Sequence, residues 1–249
     1  MIDREAFYKS GIEKVILNEG LEEIGNYAFS ECFNLTEITI PKRVTHIATG
    51  AFEQSGLELV NMLANVKELP EWIFGGCGML KEISLPDSIE RIEDYAFAWD
   101  YDADISIPKS CKHIGVNSFN FGTKERVEIP AHIESLETLN FENRDEEKDI
   151  LREVVFKGNL NTIPAGCFES IESLERVDLS KGCKRIETLA FSGCKNLKEL
   201  ILPDHAIEIE ERAFLDCCKL DVSGIMLRNK PYKDTGEELR RLDTFKREY

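Results

Sequence analysis

Apolar and polar residues alternate along this chain in short bursts that recur at nearly constant spacing. The stretch IGNYAFSECFNLTEITIPKRV, residues 24–44, holds one complete burst. Leu35-x-x-Ile38-x-Ile40 ends in period-two alternation, the pattern of a short strand with one buried face, and Pro41 stops it. Pro86, Pro108, Pro130 and Pro203 take the same place in later bursts, where a missing backbone N–H does least harm because the strand is already ending. Ahead of the strand, Ile24-x-x-x-Ala28-Phe29 sets apolar residues at helical spacing and predicts one short helical turn. The burst then returns: LAFSGCKNLKELILP at 189–203 matches YAFSECFNLTEITIP at 27–41 in eight of fifteen positions.

Phenylalanine sets the period. Ten of the fourteen Phe residues, at 7, 29, 52, 74, 97, 119, 141, 168, 191 and 214, are separated by 22, 23, 22, 23, 22, 22, 27, 23 and 23 residues. In the repeats that begin at Phe7, Phe52, Phe97 and Phe119, the aliphatic that follows the Phe by nine positions elsewhere comes after eight (Val15, Val60, Ile105, Val127). One residue is missing from the turn, and each of these repeats is followed by a 22-residue step. The repeat at Phe141 carries extra residues in NRDEEKDI and accounts for the 27.

A unit of strand, turn and helical scrap is too small to bury its own apolar face, so stacking must bury it, which is the logic of a solenoid. With parallel strands about 4.8 Å apart, ten repeats predict a rod on the order of 45 Å long. Residues 1–227 are read as one such solenoid of about ten 22–23-residue repeats, the 27-residue repeat lying near 141–167. After Leu220 the pattern decays. In 228–249, Leu239, Leu242, Phe245 and Tyr249 at helical spacing predict an amphipathic capping helix, with a disordered or partner-binding tail as the alternative.

The pattern Ile-x-x-x-Ala-Phe-x-x-Cys-x-x-Leu-x-x-Ile-x-Ile-Pro, over residues 6 to 222, resembles the BspA-like leucine-rich repeat, a class found mainly in bacterial and some protist surface proteins. The resemblance implies an α/β repeat fold: a right-handed leucine-rich-repeat solenoid with short parallel strands forming a concave sheet and short helical turns on the other side. It also implies binding rather than catalysis and, in surface members, adhesion to host proteins.

Side chains alternate across a strand, so the residues between buried aliphatics face outward on the sheet. In order, these slots hold Lys14 and Ile16, Glu37 and Thr39, Leu59 and Asn61, Glu82 and Ser84, and Asp104 and Ser106. They continue with Arg126 and Glu128, Glu153 and Val155, Arg176 and Asp178, and Glu199 and Ile201. The ladder lacks an aromatic anchor of the kind that dominates protein hot spots. Trp99 and Tyr101, in the AWDYDAD turn, replace the usual Cys-x-x-Leu and are expected as exposed aromatics, unless the indole fills the space left by the missing Leu.

Charge narrows the partner. Forty-seven acids against thirty-one bases give a net −16, which repels nucleic-acid phosphates and anionic lipid surfaces. Acidic faces also keep a long solenoid in solution. The run ENRDEEKD at 142–149 is read either as a solvated loop or as an insertion that decorates a binding surface. No run of eighteen apolar residues predicts a membrane span. The opening MIDREAFYKS has no apolar core of a signal peptide, and the chain opens inside a repeat.

Candidate chemistry is thin. Cys32, Cys77, Cys194 and Cys217 each follow a repeat Phe by three positions, Cys111 and Cys183 replace the aliphatic seen at Val44, and Cys167 replaces the Ala beside its Phe. These are slots for a small buried hydrophobe, and with no C-x-x-C the zinc reading has little support. Unpaired thiols at this density fit a reducing compartment, whereas the resemblance points to the cell surface. His46 pairs by position with His113, and His132 with His205, about 14 Å apart at one strand spacing per repeat and too far to share a metal ion. No glycine-rich phosphate loop is present. The expectation is a non-enzymatic protein-interaction module, adhesin-like or scaffold, binding through the concave face, with a purely structural spacer as the alternative. No catalytic, metal or cofactor site is expected, nor nucleic-acid binding or membrane insertion, and a monomer is.

Overall fold

The computed structural model describes residues 1–99, 105–119, 124–139, 150–158, 160–205 and 207–221, with the backbone of 226–227 and 230–231. Two compact units, 1–120 and 121–249, are described separately.

Unit 1 contains β1 (Glu23–Ile24), β2 (Glu37–Ile40), β3 (His46–Ile47), β4 (Leu59–Met62), β5 (Glu68–Leu69), β6 (Glu82–Ser84), β7 (Arg91–Ile92) and β8 (His113–Ile114). Unit 2 contains β9 (Arg126–Ile129), β10 (Ser135–Leu136), β11 (Glu153–Phe156), β12 (Thr162–Ile163), β13 (Arg176–Asp178), β14 (Arg185–Ile186), β15 (Glu199–Ile201), β16 (Glu208–Ile209), β17 (Met226–Leu227) and β18 (Lys230–Pro231). Each unit is a parallel-strand solenoid. The longer strands pair in repeat order, β2–β4–β6 in unit 1 and β9–β11–β13–β15 in unit 2. The pattern of a buried residue after each exposed one in β2, β4 and β9 is the alternation read from the sequence. At the end of β2, the Pro41 carbonyl accepts the Val44 amide at 3.1 Å, so the proline heads a tight turn; Pro108 and Pro130 do the same for Cys111 and Ile133.

Two-residue strands follow each of these turns and form a second set of parallel ladders, β5–β7–β8 in unit 1 and β12–β14–β16 in unit 2. The sequence reading missed these ladders. Ile24, assigned there to a helical turn, ends β1 instead.

The helical turns themselves are corrected: no helix exists among the described residues. Around Phe29 the amides of Ala28, Ser30 and Cys32 donate three residues back, to Gly25, Tyr27 and Phe29. The intervening amides of Tyr27, Phe29 and Glu31 donate forward to the next coil, to the carbonyls of Thr49, Ala51 and Glu53 at 3.1, 2.7 and 2.8 Å. This alternation requires left-handed residues two before and two after each repeat Phe. Tyr27 and Glu31 (φ 55° and 56°), Trp72 and Gly76 (60° and 76°), and Leu189 and Gly193 (60° and 75°) supply them. An α-helix would keep every amide within its own turn. Here half of them bind coil to coil, so the turn face is as firmly laddered as the sheet.

The Phe column runs through the core. In unit 1 the rings of Phe7, Phe29, Phe52, Phe74, Phe97 and Phe119 stack with centroids 5.0, 5.4, 5.5, 5.6 and 5.4 Å apart. In unit 2, Phe168, Phe191 and Phe214 stack at 5.2 and 5.4 Å, and Phe156 meets Phe168 edge-on. Phe7 is half-buried, and Phe141 lies outside the described residues, as do the 142–149 run and most of the segment read as a capping helix. Of that segment, Lys230–Pro231 pairs antiparallel with Met226–Leu227.

Carboxylates cap the turns from one coil to the next. Asp94 accepts the Val116 amide and Glu187 the Ala165 amide, at 2.8 and 3.1 Å. Glu210, ion-paired with Arg185, accepts the Thr188 amide and hydroxyl, both at 2.8 Å, and these partners hold its carboxyl down at about 2.

Candidate functional site

The two outward columns of the longer strands exist in the register expected from the repeat. In unit 1, Glu37, Leu59 and Glu82 lie opposite one another, and Thr39, Asn61 and Ser84 form the parallel column. All six are exposed. Neither Glu37 nor Glu82 makes an ion pair among the described residues. Ser106 is exposed as well, whereas Asp104 and Tyr101 lie outside the described residues.

Unit 2 carries its columns differently. Arg126, Glu153, Arg176 and Glu199 are in register, as are Glu128, Val155, Asp178 and Ile201. Glu153 lies between two arginines and pairs with both. Arg176 also reaches Glu199 at 3.2 Å and Asp178 at 3.5 Å. Arg126 reaches Glu128 at 2.8 Å, and Lys157 reaches the same carboxylate at 2.9 Å. Lys157 first, then Arg126, keeps the Glu128 carboxyl below the usual carboxylate range. Opposite charges set side by side across parallel strands satisfy one another. Val155, placed by alternation on the outward face, is 6% exposed. The ladder acids Glu128, Glu153, Asp178 and Glu199 of unit 2 are therefore spent on internal pairs, and among the described residues the ladder carboxylates without an ion pair are Glu37 and Glu82.

A cleft of 370 Å³ opens on the outward face of unit 1, between Lys14–Leu17 and the side chains of Glu37, Thr39, Leu59 and Asn61. The six outward slots read for the first three repeats, Lys14, Ile16, Glu37, Thr39, Leu59 and Asn61, all line it.

Trp99 does not enter the core. It is 42% exposed, and its ring lies 5.3 Å from that of Trp72, which stacks on Tyr95 at 4.5 Å. The Trp72 indole N–H donates to Glu71 at 3.1 Å. All three aromatics have left-handed backbones, with φ of 60°, 58° and 63° for Trp72, Tyr95 and Trp99. The sequence reading found Trp99 but missed its partners. The signal was present, since Trp72 and Tyr95 both stand two residues before a repeat Phe and must therefore lie one coil apart.

Seven cysteines are buried and Cys218 is exposed. The thiols of Cys32, Cys77, Cys194 and Cys217 donate to the carbonyls of Phe7, Phe52, Phe168 and Phe191, one coil back, at 3.0, 3.1, 3.1 and 3.0 Å. Cys111 and Cys183 donate instead to His113 and Arg185. Burial pushes the Cys111 thiol up to about 11 and that of Cys217 to about 12, so neither supplies a thiolate near neutrality. Thiol titration of denatured, unreduced protein is expected to count all eight cysteines, and native protein is expected to show one fast thiol, at Cys218. A pair of thiols missing from the denatured count would show a disulfide and overturn this reading. Of the histidines, His205 meets the Cys183 carbonyl at 2.9 Å and His132 Nε2 is buried with no hydrogen-bond partner among the described residues. No helix among the described residues is long and apolar enough to cross a membrane.

Comparison with known proteins bears on most of the chain. A family model described as the BspA type leucine rich repeat region matches residues 1–124 and 123–226. A leucine-rich repeat protein from Bacteroides ovatus is similar in structure, with a TM-score of 0.60 and 26% identity over 94% of this chain and 73% of that one. A leucine-rich repeat protein from Eubacterium ventriosum, 19% identical over 86% of this chain and 78% of that one, has a TM-score of 0.50 and supports the fold alone. No curated protein matches the chain.

Proposed function

Because the chain belongs to the BspA-type leucine-rich repeat family, we propose that it is a non-enzymatic protein-interaction module whose partner docks on the outward face of β2, β4 and β6. The observation that carries this reading is the contrast between the two ladders. On the unit 2 ladder the charged side chains pair with one another, whereas on that of unit 1 Glu37 and Glu82 flank Leu59, which is 42% exposed, with no ion pair among the described residues. Thr39, Asn61 and Ser84 add neutral hydrogen-bonding groups in the adjoining column. Such a surface is broad and half-polar, and it suits a protein carrying a basic stripe better than a small molecule, which needs a pocket that buries most of it. Charge of this kind governs encounter rate and partner choice more than final affinity.

The test is capture on the immobilised chain followed by kinetics with the captured protein. Glu37→Lys with Glu82→Lys is expected to slow association about tenfold at low salt and to flatten its salt dependence. Reversals within 142–149 should change little. Recovery of nothing above background would favour a structural spacer, and sensitivity to the 142–149 reversals alone would move recognition to that insertion.

A further inference from the structure

The first coil is fastened to the second along the turn face and parts from it along the sheet. The amides of Ile2, Glu5, Phe7 and Lys9 donate to the carbonyls of Glu23, Asn26, Ala28 and Ser30 at 2.9, 2.9, 2.8 and 3.0 Å. From Gly11 to Leu17 no backbone hydrogen bond reaches the second coil, and β2 pairs with β4 alone, whereas β4 is paired on both edges. The 370 Å³ cleft lies at this parting. Val15 and Leu17, which correspond by repeat position to the buried Ile38 and Ile40, are only half-buried.

The edge facing the cleft has a defined set of groups. The carbonyls of Thr36 and Ile40 accept the amides of Leu59 and Leu63 at 3.1 and 3.0 Å, so the even positions of the strand point to β4. In a parallel ladder the alternate residues point the other way. Glu37 and Thr39 therefore turn their N–H and C=O groups to the cleft, two donors and two acceptors with no protein partner among the described residues.

We propose that this edge binds an extended segment of a partner protein by strand addition, the segment alternating basic and small aliphatic side chains. The proposal rests on the binding reading above and places the segment on it. Main-chain hydrogen bonds to Glu37 and Thr39 hold the added strand, and alternate side chains give specificity. Those turned inward lie beside Ile38 and between the half-buried Val15 and Leu17, so they are apolar. Those turned outward lie beside Glu37 and Glu19, which outnumber Lys14 on the cleft wall, so they are Lys or Arg. A second copy adding through its own β2 would set Glu37 near Glu37, and like charges facing across strands are destabilising.

The probe is a fluorescein-labelled synthetic peptide, Lys-Val-Thr-Val-Lys-Val-Thr, titrated into the full chain by fluorescence anisotropy. Binding is expected, with protection of the Glu37 and Thr39 amides in hydrogen exchange. N-methylation of the peptide amides that face β2, which leaves every side chain in place, is expected to weaken binding at least about tenfold. Glu37→Lys is expected to weaken the Lys peptide and to strengthen the same peptide with Glu in place of Lys. Thr39→Pro removes one edge donor and leaves the bonds to β4; the peptide-side changes keep the test valid if that variant unfolds. Absence of binding, indifference to N-methylation, or unprotected Glu37 and Thr39 amides would each overturn strand addition. Binding that responds to Glu82→Lys but not to Glu37→Lys would overturn it too, while leaving the outward-face reading in place. Partner capture that fails while this peptide still binds sinks the wider reading and spares the edge.

Discussion

Phe97→Ala is expected to destabilise unit 1 by about 3–5 kcal/mol, the range for removing a well-packed core aromatic. The ring is fully buried and lies between Phe74 and Phe119, with centroids at 5.6 and 5.4 Å. Its loss removes apolar burial and two stacking contacts, and aromatic pairs of this kind are worth about 0.5–1.5 kcal/mol each beyond their buried area. The flanking coils cannot close the gap. The Phe97 amide donates to the Ser118 carbonyl and the Phe74 amide to the Ala96 carbonyl, both at 2.9 Å, so the backbone ladder holds the coils at fixed spacing around the cavity. Phe33 supplies the control. It stands off the repeat and is 64% exposed, so Phe33→Ala should change stability by less than about 0.5 kcal/mol. Denaturant melts followed by circular dichroism separate the two variants. Equal, small effects would mean that the column does not carry the core.

That column was legible because a fixed period forces equivalent residues into one stack, and the spacing of Phe is visible without any structure. The same arithmetic placed the outward slots: moving the aliphatic from nine to eight residues after Phe52 puts Leu59 opposite Glu37, as the register has it. The turn conformation was not legible from apolar spacing. Ile24, Ala28 and Phe29 at helical intervals are equally well buried when a chain coils tightly and sends alternate amides to its neighbour. Glycine held the discriminating signal, since Gly50, Gly76, Gly166 and Gly193 all stand two residues from a repeat Phe and all have positive φ. A helix interior would select against glycine there.

The charge pattern was half legible. Arg126, Glu153, Arg176 and Glu199 read from the sequence as one column, but alternation alone presents that column as a surface offered to a partner. Side chains on adjacent parallel strands, about 4.8 Å apart, reach one another before they reach anything else. Alternating signs along a column therefore mean internal pairing, and like signs mean free charge. That rule marks Leu59 and Glu82 but would pair Glu37 with Lys14 in the slot before it; the two stay apart because no backbone hydrogen bond draws 11–17 onto β2. The parting of the first coil left no trace in the apolar pattern, because Val15 and Leu17 occupy the same slots as Val60 and Met62.

Gly56→Ala is expected to destabilise unit 1 by about 3 kcal/mol, at the upper end for forcing extra volume into a packed site. The reason is backbone contact. A Cβ on Gly56 would fall 2.0 Å from the Phe33 carbonyl oxygen and 2.7 Å from its carbon, and no rotamer change can move those atoms. The glycine amide also donates to the Cys32 carbonyl at 3.1 Å, so the coils meet here at hydrogen-bonding distance. This is the turn from which the Phe52 repeat has lost one residue, and the shortened path brings its backbone hard against the coil before. Gly11 holds the same position after Phe7, and there the nearest atom to an added Cβ is the Asn34 side-chain nitrogen at 3.9 Å. Gly11→Ala should therefore stay within about 0.5 kcal/mol of the parent. The pair isolates contact from composition, since both substitutions add one methyl group at equivalent points of the repeat. If the two variants melt together, the close approach at Gly56 does not hold β4 in register on β2, and the shortened turn has slack that the geometry denies.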